Sequence, residues 1–225
     1  AQQNVIRWEM QTPAEVANGT ASITNRNGRT TRFTATEAYA TYTVRARVVN
    51  IEDETDTSEA TMDVTVVPGD PDHLVIEDSG TKPTDRSRLI DDDPVGTVTL
   101  GKSQTTYDRV FAILRDIHGN WIGASNPTIW SSDNDQIASA ATGANPGQGQ
   151  GKITRVAKGG NTTVNATDVG TGLNGSVTVV LDNIIYTALE VRAESGGKHR
   201  KITSLSMRTD RGDTTSSRRA DAAPW

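Results

Sequence analysis

Apolar and polar residues alternate along many short stretches of this chain. In Ala40–Asn50, for example, Tyr42, Val44, Ala46 and Val48 alternate with threonine and arginine. Side chains two positions apart share one face of a strand, so the pattern predicts strands with one buried face and one wet face. Such strands are predicted over 5–10, 20–24, 29–35, 40–50, 60–67, 73–77, 96–100, 107–116, 128–132, 152–156, 162–167, 175–181, 186–193 and 202–207. No helical period of ten or more residues occurs, so the predicted fold class is all-β.

The predicted strands repeat at a spacing of about 120 residues. In each copy a strand with a tryptophan comes first, and three further strands follow in the same order. Two more strands, which come after the last of these four, match in the same way. The matching pairs are Ile6–Trp8 with Thr128–Trp130, Arg32–Ala35 with Lys152–Arg155, Tyr42–Ala46 with Thr162–Ala166, Thr61–Val66 with Ser176–Leu181, His73–Asp78 with Ala188–Glu194, and Gly96–Leu100 with Ile202–Met207.

The repeat divides the chain into three units. Pro68-Gly69-Asp70-Pro71-Asp72 breaks the strand pattern and predicts a boundary there. Residues 1–69 then form a unit that lacks its two opening strands, and residues 70–183 form a complete unit. Residues 184–225 hold the opening strands of a further unit, followed by a polar tail.

Four segments of the complete unit carry a family pattern: Asp116–Ile122, Thr128–Ala138, Gly151–Thr154 and Gly159–Thr167. On these residues the unit resembles the bacterial immunoglobulin-like (Big, invasin/intimin-like) domains of secreted and surface proteins. The resemblance covers most of 73–182, the region 1–67 more weakly, and the first strands of the third unit. It implies tandem immunoglobulin-like β-sandwiches of seven strands, strung as a stalk, with incomplete units at both chain ends. Arg155–Ala157 and an inserted stretch at 78–95 depart from the family pattern.

The incomplete units suggest how the protein could assemble. A sandwich without its opening strands has an open edge and a half-covered core, and such an edge is a template for another chain. Two interpretations remain open: the chain is a window of a longer tandem array, or the C-terminal strands of one copy complete the first unit of the next. Donation by the N-terminal strand is a further possibility. The strands expected to take part, with exposed apolar side chains in the first unit, carry Val5, Ile6, Trp8, Tyr42, Val44, Met62, Val64, Val66, Leu189, Val191, Ile202, Leu205 and Met207.

Composition and charge limit the classes of partner. The net charge is −5, so a basic surface for nucleic acid is not expected. No apolar run reaches the roughly 20 residues that span a bilayer, so membrane insertion is not expected. The expected partners are copies of the chain joined head-to-tail or neighbouring immunoglobulin-like domains of a longer chain, with a host receptor or glycan as a further candidate ligand.

Candidate chemistry is sparse. The chain has no cysteine and three histidines, and none of the histidines lies in a motif with a nucleophile. We therefore expect no enzyme and no cofactor. The one cation considered is Ca²⁺ at a domain junction, because Asp70-Pro71-Asp72 and Asp91-Asp92-Asp93 are rich in oxygen ligands. The alternative is that these segments are solvated acidic turns.

The sequence thus predicts an extracellular or bacterial cell-surface protein with a structural or adhesive role, as a stalk or filament subunit. The alternative is an immunoglobulin-like binding module within a larger secreted adhesin, phage fibre or enzyme, which would recognise a carbohydrate or receptor through its loops.

Overall fold

The structure, a computed structural model, describes residues 4–14, 19–52, 56–183, 192–195 and 198–201. Residues 1–183 form one compact unit and residues 184–225 a second. The predicted boundary at 68–72 lies inside the first unit and remains a prediction. Within the described residues almost every element is a strand, so the all-β class is confirmed.

The N-terminal part contains a three-stranded sheet and a separate hairpin. The sheet has the order β1-β4-β5 and the hairpin pairs β2 with β3, all antiparallel. We call the two together the N-terminal sheet region. Its strands are β1 (Asn4–Gln11), β2 (Ala21–Thr24), β3 (Arg32–Ala35), β4 (Thr41–Asn50) and β5 (Asp56–Thr65).

The elements from residue 73 to residue 181 form a two-layered sandwich. One sheet has the order β11-β12-β8-β6, with β9 paired to β8, and the other has the order β10-β13-β14-β7. The elements are β6 (His73–Glu77), α1 (Arg86–Ile90), β7 (Thr97–Leu100), β8 (Thr106–Arg115), β9 (Trp121–Ala124), β10 (Thr128–Ser132), β11 (Ala138–Thr142), the 3₁₀ helix η1 (Pro146–Gln148), β12 (Gln150–Arg155), β13 (Gly160–Asp168) and β14 (Asn174–Leu181).

The order of these strands defines an immunoglobulin-like sandwich. An immunoglobulin domain places strands A, B, E and D in one sheet and C, F and G in the other. Here β6, β8, β12 and β11 occupy the A, B, E and D positions, and β10, β13 and β14 occupy C, F and G. The short strand β7 adds to β14 in parallel, as a second segment of the first strand. Inward side chains from both sheets form one core, which includes Leu74, Ile76, Val98, Leu100, Val110, Ala112, Trp130, Ile153, Val164, Val177, Val179 and Leu181.

The N-terminal sheet pairs its strands in the same register as the C, F and G strands of the sandwich. Trp8 faces Ala46 across β1 and β4, as Trp130 faces Ala166 across β10 and β13. On the other side of β4, Ala46 faces Ala60, as Ala166 faces Gly175. Thus β1, β4 and β5 correspond to β10, β13 and β14.

Four elements between residues 73 and 181 were not anticipated from the sequence. The stretch at 78–95, which looked like a polar insertion, contains the short helix α1, whose first turn is capped by the Asp85 carboxylate. Strands β9 and β11 and the 3₁₀ helix η1 are the other three. The loop of the β2–β3 hairpin spans residues 25–31, and Asn27 within it pairs with Arg7 on β1.

The second unit is described only in part. A hairpin joins β15 (Arg192–Ser195) to β16 (Lys198–Lys201). It lies in the part of the chain where opening strands of a further domain were predicted. The predicted strand residues Leu189, Val191, Ile202, Leu205 and Met207 lie outside the described residues.

Candidate assembly surface

One face of the β1-β4-β5 sheet is apolar and only partly covered. Successive side chains point to opposite faces of a strand, so Ile6, Trp8, Val48, Ala60 and Met62 share one face by their register. We call this the open face. Ala60 is exposed, Met62 is 61% exposed, and the other three are half-buried.

The corresponding face of the sandwich is closed. Val177, which occupies the position of Met62, is 2% exposed, and Trp130, which occupies that of Trp8, is 7% exposed. The difference arises because the β6–β8 sheet packs over β13 and β14 in the sandwich. Over the open face, the described residues provide no such sheet.

The β2–β3 hairpin covers one end of the open face. Tyr42 is fully buried and Val44 is 4% exposed, so these two side chains are not exposed as the sequence suggested. Phe33 meets the Tyr42 ring edge-on, with 5.3 Å between ring centroids. Ala21, Ala35, Met10 and Val66 also pack against the Ala40–Tyr42 cluster. The hairpin thus replaces part of the missing sheet at this end only.

The two edges of the sheet differ. The hairpin loop covers the edge formed by β1: the Trp8 N–H donates to Arg26 O at 2.7 Å, and the Gly28 N–H donates to Ile6 O at 2.9 Å. The Trp8 indole Nε1–H donates to Gly28 O as well. The edge formed by β5 has no strand partner among the described residues. In the sandwich, the same edge of β14 is occupied by β7.

The opposite face of the sheet is polar and carries charged pairs. Glu9 binds Arg45 and Arg47 at 2.9 and 2.8 Å. The hydrogen bond from Arg47 contributes most to lowering the pKa of Glu9, and the positive charges of both arginines add to it. Val5 and Val49 are paired at the far end of this face, so Val5 does not belong to the open face.

A hydrogen-bonded joint connects the N-terminal sheet region to the sandwich. The loop between β3 and β4 lies against the turn between β8 and β9. The Asn120 side chain donates through Nδ2 to Thr36 O at 2.8 Å and accepts through Oδ1 from the Ala38 N–H at 2.9 Å. Asn120 and Ala38 are both buried. This joint residue was not singled out from the sequence, although Asn120 lies in the Asp116–Ile122 segment that carries the family resemblance.

Further contacts strengthen the joint. The Tyr39 hydroxyl donates to Trp121 O, and the Lys82 ammonium lies 3.7 Å from the centre of the Tyr39 ring. Arg86 on α1 binds the buried Glu37 carboxylate at 2.8 Å. Helix α1 therefore serves to hold the preceding sheet.

Asp116 organises the turn at the centre of the joint. Its carboxylate accepts hydrogen bonds from the backbone N–H groups of Gly69, His118 and Asn120, at 2.8, 2.9 and 2.9 Å. Burial opposes ionisation, but these bonds and the one from the Asn120 side chain outweigh it and lower the pKa of Asp116. A carboxylate held in this way fixes the linker, through Gly69, to the turn.

Three of the five candidate Ca²⁺ ligands, Asp72, Asp92 and Asp93, contact histidine or arginine side chains. The Nε2–H of His73 donates to the Asp92 carboxylate at 3.0 Å, and Nδ1 of the same ring lies 3.2 Å from the Asp72 carboxylate. Arg88 binds Asp93 and Asp78. No group of three or more acidic or histidine side chains suited to a metal occurs among the described residues.

A buried ion pair anchors the inserted stretch beneath the joint. Arg115 is fully buried and contacts Glu77 at 2.6 Å, while it also donates to Gly119 O and to Arg88 O. Burial raises the pKa of Glu77 to about 7, although the charge of Arg115 opposes this shift. Arg115 therefore ties strand β6, helix α1 and the β8–β9 turn together.

Comparisons with known proteins give only distant structural likeness. No protein-family profile matches the sequence, and no curated protein sequence matches it. Domains 5 and 6 of the S-layer protein SbsC align with 17% identity and a TM-score of 0.37, over 82% of each chain. Chicken VE-cadherin EC1-2 aligns with 10% identity and a TM-score of 0.36, over 80% of this chain and 84% of that one.

A C-terminal fragment of intimin, in complex with the intimin-binding domain of the translocated intimin receptor, aligns with 15% identity and a TM-score of 0.25, over 79% of this chain and 51% of that one. The alignment with SbsC domains 4 and 5 covers 62% of this chain and 64% of the other, which is less than two thirds of its length. Likenesses of this size carry no inference about function, so the surface is interpreted from its own geometry. Among the described residues, no helix is long and apolar enough to cross a membrane.

Proposed function

We propose that this chain is a structural or adhesive module of an extracellular or bacterial cell-surface array. In this proposal, copies join head-to-tail, and each copy supplies a strand that complements the incomplete N-terminal sheet of the next. The result is a stalk or filament of immunoglobulin-like units. No catalytic role and no cofactor are assigned.

The observation that carries the proposal is the contrast between two equivalent sheets. Met62 on β5 is 61% exposed, whereas Val177, at the equivalent position of β14, is 2% exposed. Burying a large apolar side chain contributes about 1.5–3 kcal/mol. Several such side chains on one face favour a partner that completes the sandwich.

The joint supports a role in transmitting force along an array. Direct hydrogen bonds from Asn120, Tyr39 and Arg86 connect the N-terminal sheet region to the sandwich. A side-chain network of this kind opposes bending between neighbouring units. This property suits a stalk better than it suits a pair of freely jointed domains.

The proposal is tested by measuring the mass and shape of the purified full chain. Multi-angle light scattering across a concentration series, with negative-stain microscopy, should reveal fibres with an axial repeat of one to two immunoglobulin-like domains. A variant that ends at residue 183 should remain monomeric, with a far-ultraviolet circular dichroism spectrum that confirms folding. If the full chain is a monodisperse monomer at every concentration, the proposed assembly is wrong.

A further inference from the structure

The sandwich shows how a short strand can close the edge that is open in the N-terminal sheet. Strand β7 adds in parallel to β14, with Val98 beside Val179 and Leu100 beside Leu181. All four side chains are at most 3% exposed. Thus an added strand with apolar residues two positions apart completes this edge and contributes directly to the core.

The open edge of β5 offers the equivalent position for an added strand, and we call this position the seat. Register with β4 places Val64 in the position of Val179, because Tyr42 faces Val64 as Thr162 faces Val179. Two residues further on, Val66 takes the position of Leu181. Val64 and Val66 are half-buried. A parallel strand along 63–66 would cover both.

A second path over the sheet is closed to a donated strand. In the sandwich, β6 passes so close to Gly175 that a Cβ atom there would lie 2.6 Å from the backbone oxygen of Leu74. The N-terminal sheet has Ala60 in the position of Gly175. Its methyl group blocks a strand that follows the path of β6. The edge beside β5 therefore remains as the seat that matches the geometry of the sandwich.

The sequence offers a donor for this seat. Leu205-Ser206-Met207 repeats the spacing of Val98-Thr99-Leu100, with two large apolar side chains on either side of a small polar one. The same segment follows the β15–β16 hairpin in the chain. Among residues 184–225 the repeat places this stretch in the position of β7.

We propose that residues 202–207 of a second copy add to β5 as a parallel strand, with Leu205 beside Val64 and Met207 beside Val66. This inference rests on the proposed function and names the strand, its direction and its register. The seat is the edge of β5 rather than the whole open face.

A second copy is favoured over the chain's own tail by the direction of the strands. Strand β14 begins at the end of the sandwich where Gly175 meets Leu74, and it leaves at Leu181, beside Leu100. Its eight residues span about 25 Å. The acceptor residues Val64 and Val66 precede the linker to β6, at the other end. The chain therefore leaves the sandwich at the end opposite the acceptor, and a head-to-tail contact between copies would not close but would extend into a linear array.

Cysteine pairing tests the register, because the natural chain contains no cysteine. Thr65 and Ser206 take the positions of the cross-strand pair Val180 and Thr99. T65C protein mixed with S206C protein under mild oxidation should form a disulfide-linked dimer that contains one of each. Disulfides require Cα atoms within about 7 Å, so the product reports direct adjacency.

A matched control places the cysteine four residues earlier on the same strand. In a mixture of T61C and S206C the two sites would be about 13 Å apart along the strand, so no dimer should accumulate. Equal yields from both mixtures would overturn the register. The double variant T65C/S206C distinguishes the two sources of the strand. If it forms an intrachain disulfide while the mixture of T65C and S206C gives no dimer, donation by a second copy is wrong.

A second pair of variants tests the contact without cysteines. Met207→Asp should reduce the fraction of assembled protein at least tenfold, because a carboxylate would enter an apolar seat. Ser206→Asp should leave it nearly unchanged, because in the proposed register Ser206 would face away from the core. If the full chain assembles but neither the crosslink nor the Met207→Asp defect occurs, the donor assignment fails while the assembly stands. If the full chain never assembles, the proposed function itself fails.

Discussion

Asn120 in the sandwich and Ala38 in the N-terminal sheet region are joined by a buried hydrogen bond of 2.9 Å, across 82 positions of sequence. The same Asn120 side chain donates to Thr36 O and to the Asp116 carboxylate. One amide group thus bonds to two regions of the chain, and its Oδ1 is the acceptor for the N–H of the buried Ala38.

Replacement of Asn120 by alanine should therefore loosen the joint. Buried polar atoms left without a partner cost about 1–3 kcal/mol, so we expect a loss of that size in the free energy of unfolding. Amide hydrogen exchange at Ala38 should accelerate. Asn165→Ala, which removes an exposed contact to Asp133, is the matched control and should change stability by less than about 0.5 kcal/mol. A joint that does not use this bond would show equal effects for both variants.

Aspartate substitutions at two equivalent positions, one in the sandwich and one in the N-terminal sheet, should distinguish an effect on folding from an effect on assembly. Val177→Asp buries an unpaired charge in the sandwich core and should cost about 3 kcal/mol or more. Met62→Asp should leave the thermal unfolding midpoint nearly unchanged, because Met62 is 61% exposed. It should nevertheless raise the concentration at which light scattering detects assembly. A large loss of stability in Met62→Asp would show that this face is already covered within one copy.

Two tyrosines in the N-terminal sheet region should respond in opposite ways to removal of the hydroxyl. The Tyr42 hydroxyl is buried with no hydrogen-bond partner among the described residues, so Tyr42→Phe should be neutral or stabilising by up to about 1 kcal/mol. The Tyr39 hydroxyl donates to Trp121 O across the joint, so Tyr39→Phe should lose about 1 kcal/mol. Urea denaturation of the two variants and the parent chain measures both values. A destabilised Tyr42→Phe variant would reveal a partner for that hydroxyl.

His73 should make stability depend on pH. Burial opposes protonation, but hydrogen bonds to Asp92 and Asp72 outweigh it and raise the pKa of His73 above its usual 6.5. Asp92 also lies 3.9 Å from Arg115. Because the folded state holds the proton more tightly, the stabilisation is present below pH 6.5 and is lost as the pH rises through the folded-state pKa.

Denaturation of the parent chain and of His73→Gln at pH 5.5 and pH 8.5 measures this effect. The two proteins should differ more at pH 5.5, and NMR titration of the ring protons should give a pKa above 6.5 for His73. His118→Gln, at an exposed turn position, is the control and should change the free energy of unfolding by less than about 0.5 kcal/mol. A difference that grows at pH 8.5 would contradict the assigned direction.

Much of the fold could be predicted from the sequence because strand patterns are local. The alternation of Tyr42, Val44, Ala46 and Val48 with polar residues marks β4, and the structure confirms that strand. Elements without such a pattern were missed. Strand β11 consists of Ala138–Thr142 and has no large apolar side chain, so only its pairing with β12 defines it.

The candidate surface was predicted in part. The repeat predicted that the first unit lacks its opening strands and therefore has exposed apolar side chains. Met62 is exposed, because the described residues provide no second sheet over it. Burial of Tyr42 and Val44 did not follow, because it depends on where the β2–β3 hairpin folds back. The alternation pattern states which face is apolar but not what covers it.

The sequence by itself determined the all-β class, most strands and the spacing of about 120 residues between equivalent strands. These features depend on neighbouring residues and on a repeated pattern, both of which are visible along one dimension. Only the tertiary structure decided the joint, the buried Arg115–Glu77 pair and the open edge of β5. Each of these depends on contacts between residues far apart in the chain, and hydrogen bonds and burial at such distances leave no periodic signal in the sequence.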